Sequence, residues 1–75
     1  MQNLAKALGA KIREVRKEKG TSQDSFALKC GLDRSYMGRI ERGEVNITVE
    51  KLYRIAAELG CEPGELLPSA AEFTI

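Results

Sequence analysis

The chain has 75 residues, which is enough for one small domain with its own hydrophobic core. Its hydrophobic fraction of 43%, together with only two prolines and seven glycines, excludes a fibrous or disordered composition. No apolar run approaches the ~18 residues of a membrane-spanning helix, and the N-terminus lacks the pattern of a signal peptide. We therefore expect a cytoplasmic protein without membrane contact.

The net charge is only +1, but the charges are unevenly distributed. Residues 1–20 carry six basic and two acidic side chains, residues 21–47 carry four of each, and residues 48–75 carry two basic and five acidic ones. A basic N-terminal part and an acidic C-terminal part suit a protein that binds nucleic acid with one side. An ordinary mixed surface is the alternative, so charge alone does not decide the function.

An apolar stripe predicts the first helix, over about residues 3–19. Its members recur at spacings of four, four and three residues: Leu4, Leu8, Ile12 and Val15. Gly20 suits the end of this helix, because glycine adopts a left-handed conformation at little cost. Gly9 lies inside the helix, where glycine costs about 1 kcal/mol relative to alanine. We therefore expect the first turn to be the weakest part.

The next stretch predicts two short helices around a glycine corner, over about residues 23–30 and 34–41. Gly31 ends the first of these helices and permits a turn of roughly 90–120° between them. Ala27 is small, which lets the two helices cross closely. This arrangement would hold the second short helix at a fixed angle to the rest of the chain.

Two further helices are predicted over about residues 49–59 and 63–67, followed by a tail over 68–75. Thr48 is the expected N-cap of the first of them. Pro63 suits the first position of the second, because the N–H that proline lacks would have no partner there. No segment predicts a strand, so we expect an all-α fold.

The combined pattern of these helices resembles the helix-turn-helix of the Cro/phage-repressor (XRE-like) family. The matching positions are Gln23, Ala27, Gly31, Leu32, Met37 and Ile40. The resemblance covers roughly residues 8–67, and within the family LDRSYMGRIERG followed by NIT is similar to the controller proteins of restriction–modification systems. It implies a single five-helix, lambda-repressor-like domain over residues 1–75, with the helix-turn-helix at the second and third helices. It also implies that the protein binds double-stranded DNA and regulates transcription.

The third predicted helix carries the candidate base-contacting residues. A helix fits the major groove of DNA, and arginine can donate two hydrogen bonds to the O6 and N7 atoms of guanine. We predict that Arg34, Ser35 and Arg39 contact bases, with a phosphate contact as the alternative for Arg39. Tyr36 is expected either to pack against the DNA backbone or to cover the interface between the third and fourth helices. The helical pattern also places Gly38 on the exposed side.

Further DNA backbone contacts are predicted around the loop that follows the third helix. The resemblance implies that Arg42, Asn46 and Thr48 hold the DNA backbone. Several repressors are more basic in this loop, where the present chain has Glu44 and Val45. This departure argues against a strong contact in the minor groove.

The helix-turn-helix also has predicted supporting residues. Gln23 opens the second helix, where its amide and the backbone N–H groups could hold a phosphate, and a plain surface glutamine is the alternative. The resemblance implies that Arg16 pairs with Glu41 and thereby fixes the orientation of the third helix. Ala27 and Gly31 are expected to set the angle between the two helices.

A single short recognition helix contacts too few base pairs for specific binding in a genome. We therefore predict a homodimer on a pseudo-palindromic operator, with half-sites about 34 Å apart. The predicted interface consists of apolar residues of the C-terminal part: Leu52, Leu59, Leu66, Leu67 and Phe73. Core packing is a competing use for several of them. RNA polymerase is a further candidate partner.

Other classes of function find less support in the sequence. The chain has no histidine and only two cysteines, Cys30 and Cys61, so the about four nitrogen or sulfur ligands of a zinc site are lacking. We expect two small buried hydrophobic thiols, no metal and no cofactor. Without visible acid–base or nucleophilic apparatus, we predict that the chain is not an enzyme. A protein–protein module, such as an antitoxin-type helical domain, is the main alternative to DNA binding.

Overall fold

The structure is a computed structural model that describes residues 3–72, and this part of the chain is all-α. Its helices are α1 (Leu4–Glu18), α2 (Gln23–Cys30), α3 (Arg34–Glu41), α4 (Val49–Leu59) and α5 (Pro63–Leu66), followed by a turn of 3₁₀ helix over Ala70–Glu72. Each predicted helix is present, with ends that agree to within one residue. The predicted five-helix fold is therefore confirmed, and none of the described helices is long and apolar enough to cross a membrane.

Side-chain caps explain where the first four helices begin. In each case the residue before the helix accepts a hydrogen bond from a backbone N–H group of the first turn, which would otherwise lack a partner. The caps are Asn3, Ser22, Asp33 and Thr48. Gly31 and Gly60 end α2 and α4 with φ angles of 68° and 71°, in the left-handed region. These signals are local in sequence, which is why the helix ends could be predicted.

The core lies between all five helices, and both helices of the helix-turn-helix contribute to it. Its largest fully buried side chains are Phe26, Ile12, Met37, Ile40, Ile55, Leu59, Leu66 and Cys30. Burial raises the pKa of the Cys30 thiol to about 11, so this group stays protonated at neutral pH. Cys30 is thus the buried hydrophobe that the sequence predicts, whereas Cys61 is only half-buried.

Most of the residues that were predicted to form a dimer interface are buried in the core. Leu59 and Leu66 are 2% and 1% exposed, and Leu52 is 8% exposed. Their side chains are buried within the single chain, which favours core packing, the competing use, over the predicted contact with a second copy. Leu67 remains 40% exposed. Phe73 lies outside the described residues.

Two glycines mark close approaches that the sequence pattern does not reveal. A Cβ atom on Gly9 would overlap the carbonyl oxygen of Ile40 and lie 2.8 Å from that of Glu41, so α1 crosses the end of α3 at this point. Gly38 was expected to be exposed but is buried. The side chains of Gln23 and Arg42 cover it, since a Cβ atom there would lie 3.4 Å and 3.0 Å from their polar atoms.

Candidate DNA interface

A buried ion pair joins α1 to the last residue of α3. Arg16 Nε lies 2.7 Å from Glu41 Oε2, and Arg16 Nη2 lies 3.0 Å from Glu41 Oε1. The remaining guanidinium nitrogen, Nη1, donates to the carbonyl oxygen of Thr21 at 2.8 Å. The side chains are only 9% and 2% exposed. The contact implied by the family resemblance is therefore present, and each nitrogen and oxygen atom of the two charged groups has a hydrogen-bond partner.

Gln23 extends this network to the start of α2. Its Nε2 atom donates to Glu41 Oε1 at 3.0 Å, so the amide faces the end of α3 and Gln23 is not the plain surface residue of the alternative interpretation. One of the two amide hydrogens remains available to another acceptor. The predicted phosphate contact of Gln23 stays a prediction, and it would have to use that hydrogen or the backbone N–H groups of the first turn.

The corner between α2 and α3 has the geometry that its small residues predict. Ala27 is 1% exposed and lies between the helices. Gly31 adopts a left-handed φ of 68°, and the N–H group of Leu32 donates to the carbonyl oxygen of Ala27 at 2.9 Å. This closing hydrogen bond is typical of a helix that ends at a left-handed glycine. The N-terminal half of α3 consequently projects from the surface.

The exposed side of α3 carries the three predicted base-contacting residues. The Arg34 side chain is 71% exposed, and its Nη1 atom lies 3.1 Å from the carboxylate of Asp24, itself 63% exposed. The Ser35 hydroxyl donates to the Asp33 carboxylate, which lowers the pKa of Asp33. The Arg39 side chain is 53% exposed. The structure thus places these side chains within reach of a partner.

Tyr36 and Lys51 link α3 to α4. The Tyr36 side chain is half-buried and packs against the core. The Lys51 Nζ atom lies 5.0 Å from the centroid of the tyrosine ring, within the range of a cation–π contact. This geometry favours the interpretation in which Tyr36 covers the interface between the two helices. The exposed part of the ring is still free to contact a DNA backbone.

The loop after α3 contains a charge cluster that the sequence did not reveal. Glu44 accepts a hydrogen bond from Arg42 Nε at 2.6 Å, and a second of its carboxylate oxygens lies 3.9 Å from Arg39 Nε. The hydrogen bond from Arg42 lowers the pKa of Glu44. Asn46 is exposed, and the Thr48 hydroxyl accepts the N–H of Lys51 while keeping its own hydrogen for donation. The only sequence signal for the cluster is the presence of opposite charges within five residues.

Together these features define a helix-turn-helix DNA-binding domain. Residues 12–66 match the family model described as helix-turn-helix. The chain is 36% identical to the control protein C.BamHI of Bacillus amyloliquefaciens over 66 residues, which are 87% of this chain and 82% of that protein. It therefore belongs to the helix-turn-helix family of DNA-binding transcriptional regulators, and the predicted resemblance to XRE-like proteins is confirmed. This is a family of regulators rather than of enzymes.

Solved structures agree with this assignment. The restriction–modification controller protein C.AhdI of Aeromonas hydrophila superposes with a TM-score of 0.81 at 41% identity, over 84% of this chain and 96% of that one. SinR of Bacillus subtilis, solved in complex with DNA, superposes with a TM-score of 0.74 at 35% identity, over 79% of this chain and 95% of that one. At these identities the likeness extends to sequence as well as to fold.

Proposed function

We propose that two copies of this chain bind a pseudo-palindromic operator and control transcription of restriction–modification genes. The observation that carries the proposal is the exposed face of α3, which presents Arg34, Ser35 and Arg39 while a buried ion pair holds the opposite side of the helix. A rigidly held helix with exposed hydrogen-bond donors is the element that enters the major groove in this family of domains.

Base recognition is assigned to the N-terminal half of α3. Arg34 can present its planar guanidinium to the O6 and N7 atoms of guanine once it leaves Asp24. That step costs little, because an ion pair between two exposed side chains is worth about 0–1 kcal/mol. Ser35 adds a hydroxyl one residue further along, and Arg39 is also exposed. These three residues would determine which bases are preferred.

Backbone contacts are assigned to residues on either side of α3. The start of α2 offers the free N–H groups of its first turn and the remaining amide hydrogen of Gln23. The other candidates, which flank or follow α3, are Tyr36, Arg42, Asn46 and Thr48. Contacts of this kind position the domain on the duplex and make its affinity depend on salt, but they carry no sequence information.

The homodimer follows from the size of α3. Eight helical residues extend about 12 Å, which is only a few base pairs. A two-fold dimer doubles the number of base contacts and places two recognition helices about 34 Å apart. Among the residues predicted for the interface, Leu67 is the one in the described part of the chain that keeps an exposed apolar side chain. We assign Leu67 to the dimer interface.

The role as a controller protein rests on likeness to relatives. C.BamHI is a control protein and C.AhdI is a restriction–modification controller protein, and both are similar to this chain over most of their length. A regulator of this kind acts in the cytoplasm, where the DNA lies. RNA polymerase is a candidate partner at the regulated promoter.

The proposal is tested by selecting bound sites from a random duplex library. The expected result is a motif with two inverted half-sites whose centres lie about one helical turn, or a multiple of it, apart. Gel shifts of the selected site should weaken steeply as salt is raised, which separates DNA binding from the alternative of a protein–protein module. A motif without symmetry, together with a monomer in sedimentation on the DNA, would contradict the homodimer. Failure to enrich any sequence would contradict the function.

A further inference from the structure

Glu44 lies between two arginines of the candidate DNA interface. Its Oε2 atom is 2.6 Å from Arg42 Nε, and its Oε1 atom is 3.9 Å from Arg39 Nε. All three side chains are about half exposed or more, so the cluster lies on the surface of the domain. A carboxylate at this position removes one unit of positive charge from the region where backbone contacts are assigned.

The loop holds the Glu44 backbone in a defined place. The N–H group of Glu44 donates to the carbonyl oxygen of Arg39 at 2.9 Å, and Gly43 adopts a left-handed φ of 74°. A Cβ atom on Gly43 would lie 2.5 Å from the Cα atom of Lys6, so the loop is packed directly against the start of α1. Because this backbone has little room to move, the Glu44 carboxylate stays within a side chain's reach of the arginines.

The cluster affects phosphate contacts and base contacts differently. Glu44 occupies the Nε and Nη2 edge of Arg42, at 2.6 Å and 3.5 Å, so a two-pronged phosphate contact through that edge requires breaking both hydrogen bonds, and the carboxylate also repels the phosphate. Arg39 is held more loosely, with its Nε atom 3.9 Å from the carboxylate. The other guanidinium nitrogens of Arg39 can therefore donate to a base edge while the carboxylate stays nearby.

We propose that Glu44 is a specificity-determining residue, which lowers affinity for any DNA backbone more than it lowers affinity for the operator. Phosphate contacts are common to all DNA, whereas base contacts are made only at the correct site. Contacts made equally in both complexes cancel from the ratio of operator affinity to non-specific affinity. The ratio therefore rises through Arg39, which contacts a base at the operator but must contact a phosphate beside Glu44 on other DNA. This inference rests on the proposed function, because it requires an operator that α3 recognises.

The experiment compares Glu44→Gln with the wild-type chain on two duplexes of equal length, the selected operator and a scrambled sequence. Fluorescence anisotropy is measured over a series of salt concentrations. We expect Glu44→Gln to bind scrambled DNA about three- to tenfold more tightly, as two exposed ion pairs are released. Operator affinity should rise less. The specificity ratio, which is operator affinity divided by scrambled-DNA affinity, should therefore fall. The salt dependence on scrambled DNA should steepen by about one phosphate contact per chain.

The matched control is Glu58→Gln, which makes the same change of charge at an exposed position of α4. Glu58 lies near the C-terminal end of this helix, whereas Thr48 caps its N-terminal end. It should leave the specificity ratio unchanged. An equal effect of the two substitutions would mean that net charge alone acts, and it would overturn the proposal. A lower ratio caused by weaker operator binding, with scrambled binding unchanged, would overturn it as well.

A second background tests the mechanism through Arg42. In Arg42→Gln chains, the further substitution Glu44→Gln should increase scrambled-DNA affinity by less than half as much, because the more tightly held arginine is gone. An undiminished increase would show that Glu44 acts only by repulsion, against the proposal. If the wild-type chain selects no operator, the proposed function itself fails. If it selects one and Glu44→Gln leaves the ratio unchanged, only the role of Glu44 fails.

Discussion

Arg16 and Glu41 form a two-pronged ion pair that fixes the end of α3 against α1. The two hydrogen bonds measure 2.7 Å and 3.0 Å, and the residues are 7% and 6% exposed. A pair this far from water is retained only when its remaining donors and acceptors are also satisfied, which Thr21 and Gln23 accomplish here. The pair therefore determines the orientation of α3 more than it contributes net stability.

Substituting one partner of this pair should be costly. Arg16→Met leaves the Glu41 carboxylate buried without its counter-charge, and we expect the free energy of unfolding to fall by about 3–5 kcal/mol. Urea denaturation measures this loss. Operator affinity should also fall at protein concentrations and temperatures where the variant is folded, because α3 is no longer held at its end. Unchanged stability and affinity would contradict the role assigned to Arg16.

The double variant Arg16→Met with Glu41→Leu separates stability from orientation. Replacing both charges by apolar side chains removes the uncompensated carboxylate, so most of the lost free energy of unfolding should return. The Gln23 amide is half-buried and can turn to water. Operator affinity should stay low, since the directional contact is absent. Full recovery of both properties would mean that the pair has no orienting role.

Gly9 should reverse the usual effect of replacing glycine in a helix. Alanine is normally favoured by about 1 kcal/mol. At Gly9 the added methyl group would meet the backbone of Ile40 and Glu41, so α1 and α3 must move apart. We expect Gly9→Ala to destabilise the chain by about 1–3 kcal/mol, measured by thermal or urea unfolding. Gly64→Ala in α5 is the control, because an added Cβ atom there would meet no heavy atom of another part of the chain within 4 Å, and it should be neutral or stabilising.

The comparison of Gly9 with Gly31 shows how far the sequence predicts this fold. The conformation of Gly31 depends on its own helix end, so a local pattern was sufficient to predict it. The need for glycine at position 9 arises from a backbone more than 30 residues away, and only the assembled fold reveals it. For the same reason, the sequence predicted the apolar stripe of α4 but not which of its leucines the core would bury.

In the candidate site, too, features set by the local sequence could be predicted, and features set by contacts between distant residues could not. The chemistry of Arg34 and Ser35 at the start of a helix could be predicted from residue type and position, and the structure exposes both. The use of Gln23 was predicted incompletely, because its contact with Glu41 joins two residues that are 18 positions apart in the sequence. Glu44 appeared in the sequence only as a departure from more basic loops. Its pairing with two arginines required the geometry of the loop.

Leu66 and Leu67 are neighbours in sequence but should respond differently to substitution. Leu66 is 1% exposed, so Leu66→Ala should lower the free energy of unfolding by about 2–5 kcal/mol. Leu67 is 40% exposed, so Leu67→Glu should leave the fold intact. It should weaken the proposed dimer roughly tenfold, because contact area is lost and two like charges meet. Sedimentation equilibrium measures the second effect. An unchanged dimer would remove Leu67 from the interface.

Arg34 provides the most direct test of base recognition. If its guanidinium donates two hydrogen bonds to guanine, Arg34→Gln should cost about 1–3 kcal/mol of binding free energy at the operator. The preference at one base position in each half-site should be relaxed, whereas the preferences at other positions should persist. The measurement is the affinity for the operator and for single-base variants of it, at one fixed salt concentration.

The control for Arg34→Gln is Arg13→Gln, which removes the same charge from an exposed position on α1. Both substitutions lower the net charge equally, so a purely electrostatic effect would weaken operator and variant sites alike in the two chains. Only the loss of a base contact would remove the preference of the Arg34→Gln chain for a particular base at one position of the site. If Arg34→Gln weakens all sites uniformly, Arg34 contacts phosphate, and the assignment of base recognition to the start of α3 is wrong.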